Sequence, residues 1–479
     1  MAVTLGKVVA SVAVFAYGIF TVLLYAVIAM KKGIWFRKRT EKESLELQIA
    51  RDRMWNPTKE YSGLSHHFTT LTSGLKIHFM SNAAPGSPAA LNPDKPLVIL
   101  IHGWPDSWAI WRYIAGSSSL QEAANLVVID LPGFGGSGRL EKYSATNVLE
   151  ALTELIITLR TKYGVDDDSE SSKKRTIVVA HDWGCVLSMR LAAEAPALAD
   201  RWILSNAPLV KLVESNIGRL LTSAKKMFST ALNSPLSSRT PVLQAFRTLG
   251  PVIRQAGLSG YIFAMQLPPA GVHYFLTGGN SSLMVAIHHG SYGSYKPTYS
   301  DKADAMSNTM GPSLAESKLQ NANADSYPEG IDYSREFSKI FDMASYYRQG
   351  AASARWNKSL ETITGLHGIA GDKELRRTSS GTGVFDEGVP GVLKAPSTII
   401  WGQKDIALDP HICLDGIGDY LVKDSQVVML PRSGHWTPIE VESRAALEAA
   451  IQWAIGGEKG DVEAAVQASY PDATITVRR

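Results

Sequence analysis

The chain has 479 residues, of which 45% are hydrophobic, so it is long and apolar enough to bury a large core. Its 48 basic and 45 acidic residues give a formal net charge of +3, a balance that argues against nucleic acid or another strongly charged partner. The two cysteines, Cys185 and Cys413, have no metal or redox spacing. We expect both to be reduced core residues, as in a cytosolic environment.

A long apolar stretch lies near the amino terminus. Residues 8–30 contain neither a charge nor a proline, and a helix of this length, at about 1.5 Å per residue, would cross a hydrocarbon layer of roughly 30 Å. The apolar part of a cleaved signal peptide is only about 7–15 residues long, so we predict a retained single-pass transmembrane anchor; a buried core helix is the alternative. Basic residues cluster at 31–39, whereas Lys7 alone precedes the stretch. The positive-inside rule therefore predicts a cytosol-facing protein, which we expect in the endoplasmic reticulum membrane.

Strand patterns begin after a charged segment. Residues 31–60 predict a basic flank followed by a helical stalk, and the alternating runs at 66–72 and 75–80 predict a β-hairpin. Continuous apolar runs follow, and such runs are typical of parallel strands that are covered on both faces. These runs are LVILI (97–101), LVVID (126–130), TIVVA (176–180), WILSN (202–206), STIIW (397–401) and VVML (427–430), with helical patterns at 143–162, 185–195 and 438–454. We therefore predict an α/β fold with a mostly parallel sheet, formed by residues 61–208 and 395–456.

The alternation of strands and helices is interrupted in the middle of the chain. Residues 209–394 have mixed helical and polar patterns, and we predict that they form a mainly helical lid inserted over the sheet. Within this lid, residues 307–330 contain few large apolar side chains and predict a long loop. The polar run at 166–174 predicts a solvated insertion, and residues 457–479 are expected to form a carboxyl-terminal tail outside the core.

A glycine pattern in the first half of the chain needs a separate interpretation. Gly133, Gly135 and Gly138 match G-x-G-x-x-G, which in dinucleotide-binding folds precedes an acidic residue about 20 positions further on. The acids at that distance, Glu150 and Glu154, fall inside a helical pattern rather than at the end of a second strand. We therefore expect no nucleotide cofactor at these glycines.

The stretch TIVVAHDWGC (176–185) predicts a strand, a very tight turn and a helix. Ala180 and Gly184 flank Asp182 at the spacing of the G-x-S-x-G turn, in which the apex side chain is lifted above the sheet as a nucleophile. An aspartate at the apex could instead cap the following helix. The choice between these interpretations depends on whether partner residues follow in the expected order.

The partner residues do follow in the order nucleophile, acid, histidine. Asp405 comes just after the run STIIW, and His435 comes just after VVML. Because the carboxyl ends of parallel strands open on one edge of the sheet, Asp182, Asp405 and His435 are predicted to converge there. Asp405 is the preferred acid, ahead of Asp409.

A fourth element is the turn HGWP (102–105), which follows the run LVILI. Its backbone is predicted to face the nucleophile, so that the amides of Trp104 and Trp183 form an oxyanion hole. His102 and Pro105 of the same turn are predicted to contact the substrate.

Several of these motifs together resemble the epoxide hydrolases of the α/β-hydrolase fold. They are HGWP (102–105), DLPGFGGSG (130–138), HDWG (181–184), WGQKD (401–405) and GHW (434–436). The resemblance covers about residues 61–456, most strongly at the motifs and weakly through the lid. The chain departs from the usual family pattern in Ala180, where glycine is usual, and in the long lid insertion.

The resemblance implies the roles of individual side chains. Asp182 would be the nucleophile, and His435 would be the general base oriented by Asp405. The family uses two lid tyrosines to activate the epoxide oxygen. YIFAMQLPPAGV (261–272) and ASYYRQ (344–349) resemble the two stretches that carry them, which points to Tyr261 and Tyr347, with Tyr346 as the alternative for the second.

The implied reaction converts an epoxide to a vicinal diol through an ester at Asp182, which water activated by His435 then hydrolyses. A carboxylate is suited to displacement at saturated carbon, whereas a serine attacks carbonyl carbon. The predicted anchor and apolar lid favour a small lipophilic substrate, without defining which epoxide, and no metal or other cofactor is expected. Two alternatives stay open: a haloalkane dehalogenase that uses the same aspartate, and a non-catalytic ligand-binding homologue.

Overall fold

The computed structural model describes residues 5–166, 174–233, 239–379 and 389–479. All but the ends of the polar run predicted at 166–174 therefore lie outside the described residues. Within the described ranges one sheet has nine strands in the order β1-β2-β4-β3-β5-β6-β7-β8-β9. The strands are β1 Ser65–Thr70, β2 Lys76–Ser81, β3 Leu97–Ile101, β4 Asn125–Ile129, β5 Thr176–His181, β6 Arg201–Ser205, β7 Ser397–Gly402, β8 Gln426–Leu430 and β9 Thr474–Arg478.

The middle of the sheet is parallel and its margins are antiparallel. Strands β3 to β8 pair in parallel, whereas the β1–β2 hairpin, the β2–β4 pair and the β8–β9 pair are antiparallel. Every residue of β3, β5 and β7 is buried, which explains why these strands are continuous apolar runs in the sequence. The predicted α/β architecture with a mostly parallel sheet is confirmed.

Helices connect and cover the strands. They are α1 Leu5–Lys31, α2 Glu41–Trp55, α3 Arg112–Ala115, α4 Ser118–Ala123, α5 Ala145–Lys162, α6 Trp183–Glu194, α7 Val210–Asn233, α8 Arg239–Leu258, α9 Gly260–Ala264, α10 Pro269–Gly290, α11 Tyr299–Met310, α12 Leu314–Ser317, α13 Ile340–Arg348, α14 Leu360–Ser379, α15 Pro410–Cys413, α16 Val441–Ile455 and α17 Val462–Gln467. Helix α10 is interrupted by non-helical backbone at residues 278–281. Between β6 and β7 the described chain contains helices α7 to α14 and no strand, and we call this region the cap.

The apolar core has two halves, one on each face of the sheet. Ile99 and Val178 point to the half that is shared with α5 and α6. Their neighbours Val98 and Val179 point to the opposite half, which is shared with α3 and α16. Alternate residues of each strand thus contribute to different halves, as the period of two along a strand requires.

Helix α1 is the predicted membrane segment. Residues Val8–Lys31 have a mean hydropathy of 2.4 and are mostly exposed, and the helix is long enough to cross a bilayer. A signal sequence would meet the same criteria of length and composition, so retention in the membrane and the orientation stay predictions.

The prediction of a stalk within residues 31–60 is wrong, because α2 is packed against the rest of the protein. Its residues Leu47, Ala50, Met54 and Trp55 are buried. The Trp55 indole N–H donates a hydrogen bond of 3.0 Å to the carbonyl oxygen of Ser307 in α11. The sequence of α2 has almost no one-sided apolar pattern, and its buried face is visible only once α11 lies beside it.

Residues 307–330, predicted to be one long loop, begin inside a helix. They start with the end of α11 and include α12, and the segment is tied to the core: the Tyr327 hydroxyl donates to the carbonyl of Trp55 at 2.8 Å, and the Asn321 amide donates to the carbonyl of His66 at 3.1 Å. Its few apolar side chains are sufficient because backbone carbonyls of the core satisfy its polar groups.

The predicted carboxyl-terminal tail, residues 457–479, is instead part of the core. It contains α17 and β9, and β9 pairs antiparallel with β8 to form an edge of the sheet. At its start the Glu458 carboxylate binds the guanidinium groups of Arg175, before β5, and Arg201, in β6. The side chain of Arg201 is only 2% exposed, so Glu458 neutralises a charge that water hardly reaches.

We expect Glu458→Gln to lower the free energy of unfolding by about 1–3 kcal/mol, because it leaves the buried Arg201 without its anion. Urea unfolding of the full-length protein in detergent measures this change. Glu463→Gln is the matched control, since Glu463 pairs with the exposed Arg478, and we expect less than about 1 kcal/mol there. Equal effects of the two substitutions would contradict the role of the segment in the core.

Candidate active site

Asp182 lies at the apex of the turn between β5 and α6. Its backbone has φ +52° and ψ −121°, a conformation that residues with side chains rarely adopt. A Cβ atom on Gly184 would lie 2.5 Å from the carbonyl oxygen of Ile101, so only glycine fits where α6 crosses β3. The Asp182 side chain caps none of the described amides of α6, which argues against the capping interpretation.

Three charged side chains from three strand ends meet at this turn. Nε2 of His435 lies 3.6 Å from Oδ2 of Asp182, and Nδ1 of His435 lies 2.8 Å from Oδ2 of Asp405. Asp405 is held in place by hydrogen bonds from the Asn206 amide at 2.7 Å and from the Ala407 N–H at 2.7 Å. The structure therefore brings together the three residues that the sequence predicts to converge.

Asp409, the alternative acid, has a different position. Its carboxylate accepts hydrogen bonds from the N–H groups of His411 and Ile412 and so caps the short helix α15. The geometry favours Asp405 as the partner of His435.

The charges of the three residues support one another. Burial, the largest single influence, raises the pKa of the Asp182 carboxyl, but the hydrogen bond and charge of His435 outweigh it and the net pKa is lowered. The pKa of Asp405 is lowered in the same way. Burial lowers the pKa of His435, yet Asp405 and Asp182 together hold it well above its usual value of 6.5. The resting site consequently holds two carboxylates around an imidazolium.

The HGWP turn lies directly against Asp182. The backbone N–H of Trp104 donates a hydrogen bond of 2.7 Å to Oδ1 of Asp182. A Cβ atom on Gly103 would lie 2.3 Å from the same oxygen, so the turn can approach this closely only with glycine there. Trp183 is the first residue of α6, immediately after Asp182. The amide of Trp104 thus bonds a carboxylate oxygen of Asp182, and the oxyanion hole itself stays a prediction.

His102 and Pro105 differ from the prediction. The His102 ring is fully buried: Nε2 accepts a hydrogen bond from the Leu131 N–H at 3.0 Å, and Nδ1 bonds the carbonyl of Gly103 at 2.9 Å. Burial lowers the pKa of this histidine, so the ring is neutral at neutral pH. Pro105 follows a cis peptide bond. Neither residue is among the described lining of the active-site cavity, so their contact with substrate is not supported; His102 instead holds the turn in shape.

A cavity of about 160 Å³ lies above Asp182. Its lining is predominantly apolar, with the charged pair at its base. The lining residues are Trp104, Asp182, Leu258, Tyr261, Leu283, Ile287, Tyr347, Ile406, Ala407, His435 and Trp436. Such apolar walls around a few polar groups are typical of a small-molecule site.

Both predicted lid tyrosines line this cavity. Tyr261 lies in α9 and Tyr347 in α13, and their rings meet edge-to-face with centroids 5.8 Å apart. Burial, with a further contribution from the Asp182 charge, raises the pKa of both phenols above 10, so both carry a proton at neutral pH and can donate hydrogen bonds. The neighbouring Tyr346 instead donates its hydroxyl proton to the carbonyl of Pro132 at 2.9 Å. Geometry thus favours Tyr347 over Tyr346.

A buried polar pair near Asp182 is not predicted by the sequence. Oδ1 of Asp106 accepts a hydrogen bond of 2.6 Å from Asn308 of α11, and Asn308 in turn accepts hydrogen bonds from Ser107. Burial, followed by the charge of Asp182, raises the pKa of Asp106 to about 7. The signal in the sequence is the carboxylate that directly follows HGWP. Its partner in the cap could not be identified without the fold.

The fold and this arrangement of residues define the class of protein. Residues 98–450 match the Alpha/beta hydrolase family, and the chain belongs to this family. Within it the chain is similar to epoxide hydrolase 3 of Xenopus tropicalis, with 32% identity over 142 residues, which are 28% of this chain and 32% of that protein. It is also similar to bifunctional epoxide hydrolase 2 of Sus scrofa, with 29% identity over 138 residues, which are 28% of this chain and 21% of that protein.

The matched segments thus span about a third or less of the length of these relatives. A likeness over most of the chain comes from a solved structure, the Cif epoxide hydrolase from Acinetobacter nosocomialis. It has a TM-score of 0.52 at 14% identity, and the match covers 87% of this chain and 96% of that one. At this identity the likeness shows the fold alone. The resemblance to α/β-hydrolase-fold epoxide hydrolases that the motifs indicate is confirmed at the level of the family.

The charge arrangement generates a prediction about His435. Asp182→Asn removes one of the two carboxylates that raise the pKa of this histidine, so we expect its pKa to fall and its neutral fraction at pH 7 to rise. Nitrogen NMR of protein labelled at histidine in detergent measures both values. Asp409→Asn is the control, because it removes another buried carboxylate that bonds α15 rather than His435. An unchanged pKa in Asp182→Asn would contradict the coupling.

Proposed function

We propose that the protein is an epoxide hydrolase that converts a lipophilic epoxide to a vicinal diol. The observation that carries this proposal is the pair of protonated phenols, Tyr261 and Tyr347, in the same small apolar cavity as the Asp182 carboxylate. An epoxide in this cavity would have its carbon at the nucleophile and its oxygen at the two hydrogen-bond donors.

In the first step, the ionised Asp182 attacks an epoxide carbon, and the carbon–oxygen bond of the ring breaks. The departing oxygen would be a strongly basic alkoxide, so it needs a proton as it forms, which a tyrosine hydroxyl supplies. The tyrosine is left as a phenolate, and the imidazolium proton of His435 then restores its hydroxyl group. The products of the step are an alkyl ester at Asp182, an alcohol on the neighbouring carbon and a neutral His435.

In the second step, water attacks the carbonyl carbon of the ester. The Trp104 N–H bonds Oδ1 of Asp182 in the resting site and is positioned to stabilise negative charge on that oxygen. Esterification removes the charge of Asp182 and hence one of the two groups that raise the pKa of His435. The histidine therefore becomes a better general base for water at the stage when a base is needed, with Asp405 keeping its orientation. Diol release restores the carboxylate and the imidazolium.

Removing the base should separate the two steps. In His435→Gln we expect Asp182 to be alkylated more slowly, because the imidazolium no longer favours its ionised form, and the ester to persist, because no group activates water. Mass spectrometry of the intact protein, followed by peptide mapping, should find one substrate adduct on the peptide with Asp182. The double variant with Asp182→Asn is the control and should carry no adduct. Full turnover by His435→Gln, or an adduct elsewhere, would contradict the mechanism.

The tyrosines distinguish an epoxide from a halide substrate. A halide is a stable leaving group that needs only weak donors, whereas the alkoxide needs strong ones. We expect Tyr261→Phe and Tyr347→Phe each to slow alkylation by about 10²–10³-fold, measured by single-turnover kinetics. Tyr346→Phe is the matched control on the same helix, since its hydroxyl bonds Pro132, and its alkylation rate should stay near that of the parent.

Parental rates in both cavity variants would show that these tyrosines only pack the cap. Release of bromide from bromoalkanes by a parent protein that leaves epoxides intact would favour the haloalkane dehalogenase instead. Binding of epoxides without turnover would favour the non-catalytic homologue.

A further inference from the structure

Helix α1 packs against the cap along one side. The Tyr17 hydroxyl donates a hydrogen bond of 2.9 Å to the carbonyl of Ala256 in α8, and the Tyr17 ring meets that of Phe263 in α9 at 4.9 Å. A Cβ atom on Gly18 would lie 2.6 Å from the carbonyl oxygen of Phe263, so the two backbones touch. The contact is as close as those that small residues allow between membrane helices.

The contact continues further along α1. The side chain of Thr21 lies against Gly260, where a Cβ atom would meet its Oγ1 at 3.0 Å. The Tyr25 hydroxyl reaches Oγ of Ser282 in α10 at 3.3 Å. The opposite side of α1 is exposed and apolar, with Phe20 56% and Leu23 61% accessible. Helix α1 therefore has one face toward the cap and one face toward its surroundings.

The position of this contact constrains the depth of the cap. The apolar segment of α1 spans Val8–Lys31, and Gly18 lies near its middle. At 1.5 Å per residue, the contact is roughly 15 Å or more from either end of that segment, close to the centre of a hydrocarbon layer about 30 Å thick. If α1 crosses or lies within a bilayer, the cap helices bound to its middle must reach hydrocarbon depth too.

Helix α8 has the surface that such immersion needs. Leu243, Phe246 and Ile253 are 51%, 57% and 62% exposed, and together with Gly250 and Gly257 they recur every three or four residues, which places them on one face of the helix. These five positions of α8 carry only Leu, Phe, Ile and Gly, and we call them the α8 stripe. Exposed large apolar side chains in a row are unusual on a surface that meets only water.

Basic residues flank the α8 stripe. Arg247 and Arg254 of α8 and Lys225 and Lys226 of α7 are exposed. Apolar side chains beside Lys and Arg are typical of helices that lie in the interface of a membrane with anionic lipids. A hydrocarbon layer bordered by negative headgroups is therefore the environment that the surface fits in both polarity and charge.

The cavity opens on the same side of the molecule. Leu258 ends α8 and lines the cavity, and Ile406 lines it while remaining 61% exposed. The Gln255 amide of α8 donates to the carbonyl of Ala407 at 3.0 Å, so α8 borders the exposed part of the lining. A molecule dissolved in lipid beside α8 would meet this opening before it meets bulk water.

We propose that the α8 stripe and the outward face of α1 form one surface that is embedded in a phospholipid bilayer. The cap then lies at the level of the acyl chains, and the substrate enters the cavity directly from the lipid. The entry route rests on the proposed function, whereas the embedded surface does not depend on it.

Fluorescence quenching in vesicles tests the embedded surface. The native Cys185 and Cys413 are buried, so a bimane dye can be attached at Phe246→Cys of the full-length protein, with the unsubstituted chain as the labelling blank. The protein is reconstituted in phosphatidylcholine with a minority of phosphatidylserine. Leu91→Cys is the control, since Leu91 is 45% exposed and precedes β3, on the amino-end side of the sheet, away from the cavity.

We expect the label at 246 to lose most of its fluorescence to doxyl-labelled lipid and little to aqueous iodide, and the label at 91 to behave in the opposite way. Quenching at 246 by iodide alone would place the α8 stripe in water and overturn the proposal. Quenching by neither agent would show that protein, such as a second copy of the chain, covers the stripe, and would overturn it too.

A kinetic measurement tests the entry route. We expect Ile253→Glu to raise KM severalfold for a lipophilic epoxide delivered in vesicles and to leave kcat/KM for a small water-soluble epoxide unchanged, with Leu91→Glu changing neither. Equal loss on both substrates, or on neither, would overturn entry from the lipid. A parent protein without epoxide hydrolysis would overturn the proposed function while leaving the quenching result intact.

Discussion

The close approach of the HGWP turn to the Asp182 turn is the constraint on which the site depends. The strained backbone of Asp182 aims its carboxylate at the amide of Trp104, and glycines at 103 and 184 leave the room for this. The strain is maintained because β5 is bonded on both sides in the interior of the sheet, by β3 and β6. A rigid parallel sheet thus stabilises a conformation that no isolated turn would keep.

In the same arrangement, the charges of the neighbouring side chains alternate in sign. Asp182, His435 and Asp405 come from different strand ends, yet they form a chain of carboxylate, imidazolium and carboxylate that burial alone would neutralise. Each charge is stabilised by its neighbour. A reaction that removes the charge of Asp182 must therefore weaken the hold on the proton of His435. In this way one loss of charge can change an acid into a base without any movement of the chain.

The parts of the fold that could be predicted are those with a local signature. Buried parallel strands are continuous apolar runs, so β5 can be predicted from the sequence. A tight turn between strand and helix needs small residues at fixed positions, so the place of Asp182 can be predicted as well. Strand β9 has no such signature, because an exposed edge strand of five residues alternates too briefly to differ from a tail. The sequence of helix α2 resembles that of a stalk because its buried face forms only against α11, about 250 residues away.

The residues of the candidate site likewise divide into those that the sequence predicts and those that it does not. Motif order predicts Asp182, Asp405 and His435 as neighbours. The buried state of His102 depends instead on the loop after β4, and the bond between Asp106 and Asn308 joins the core to the cap. Neither contact has a signature in the sequence, because each one joins segments that only the tertiary structure brings together. Asn308 of the cap is hard to predict for this reason, since the core loop that carries Asp106 positions it.

Helix α9 lies between the apolar helix α1 and the candidate active site. It has only five residues, and Tyr261 faces the cavity while Gly260 and Phe263 contact α1. A helix this short has little stability of its own, so its position is determined by what packs on either side. On the far side that support is the middle of α1 rather than another part of the hydrolase domain. The apolar amino-terminal helix therefore packs against the cap as well as being a candidate anchor, and the position of Tyr261 depends on a contact made outside the sheet.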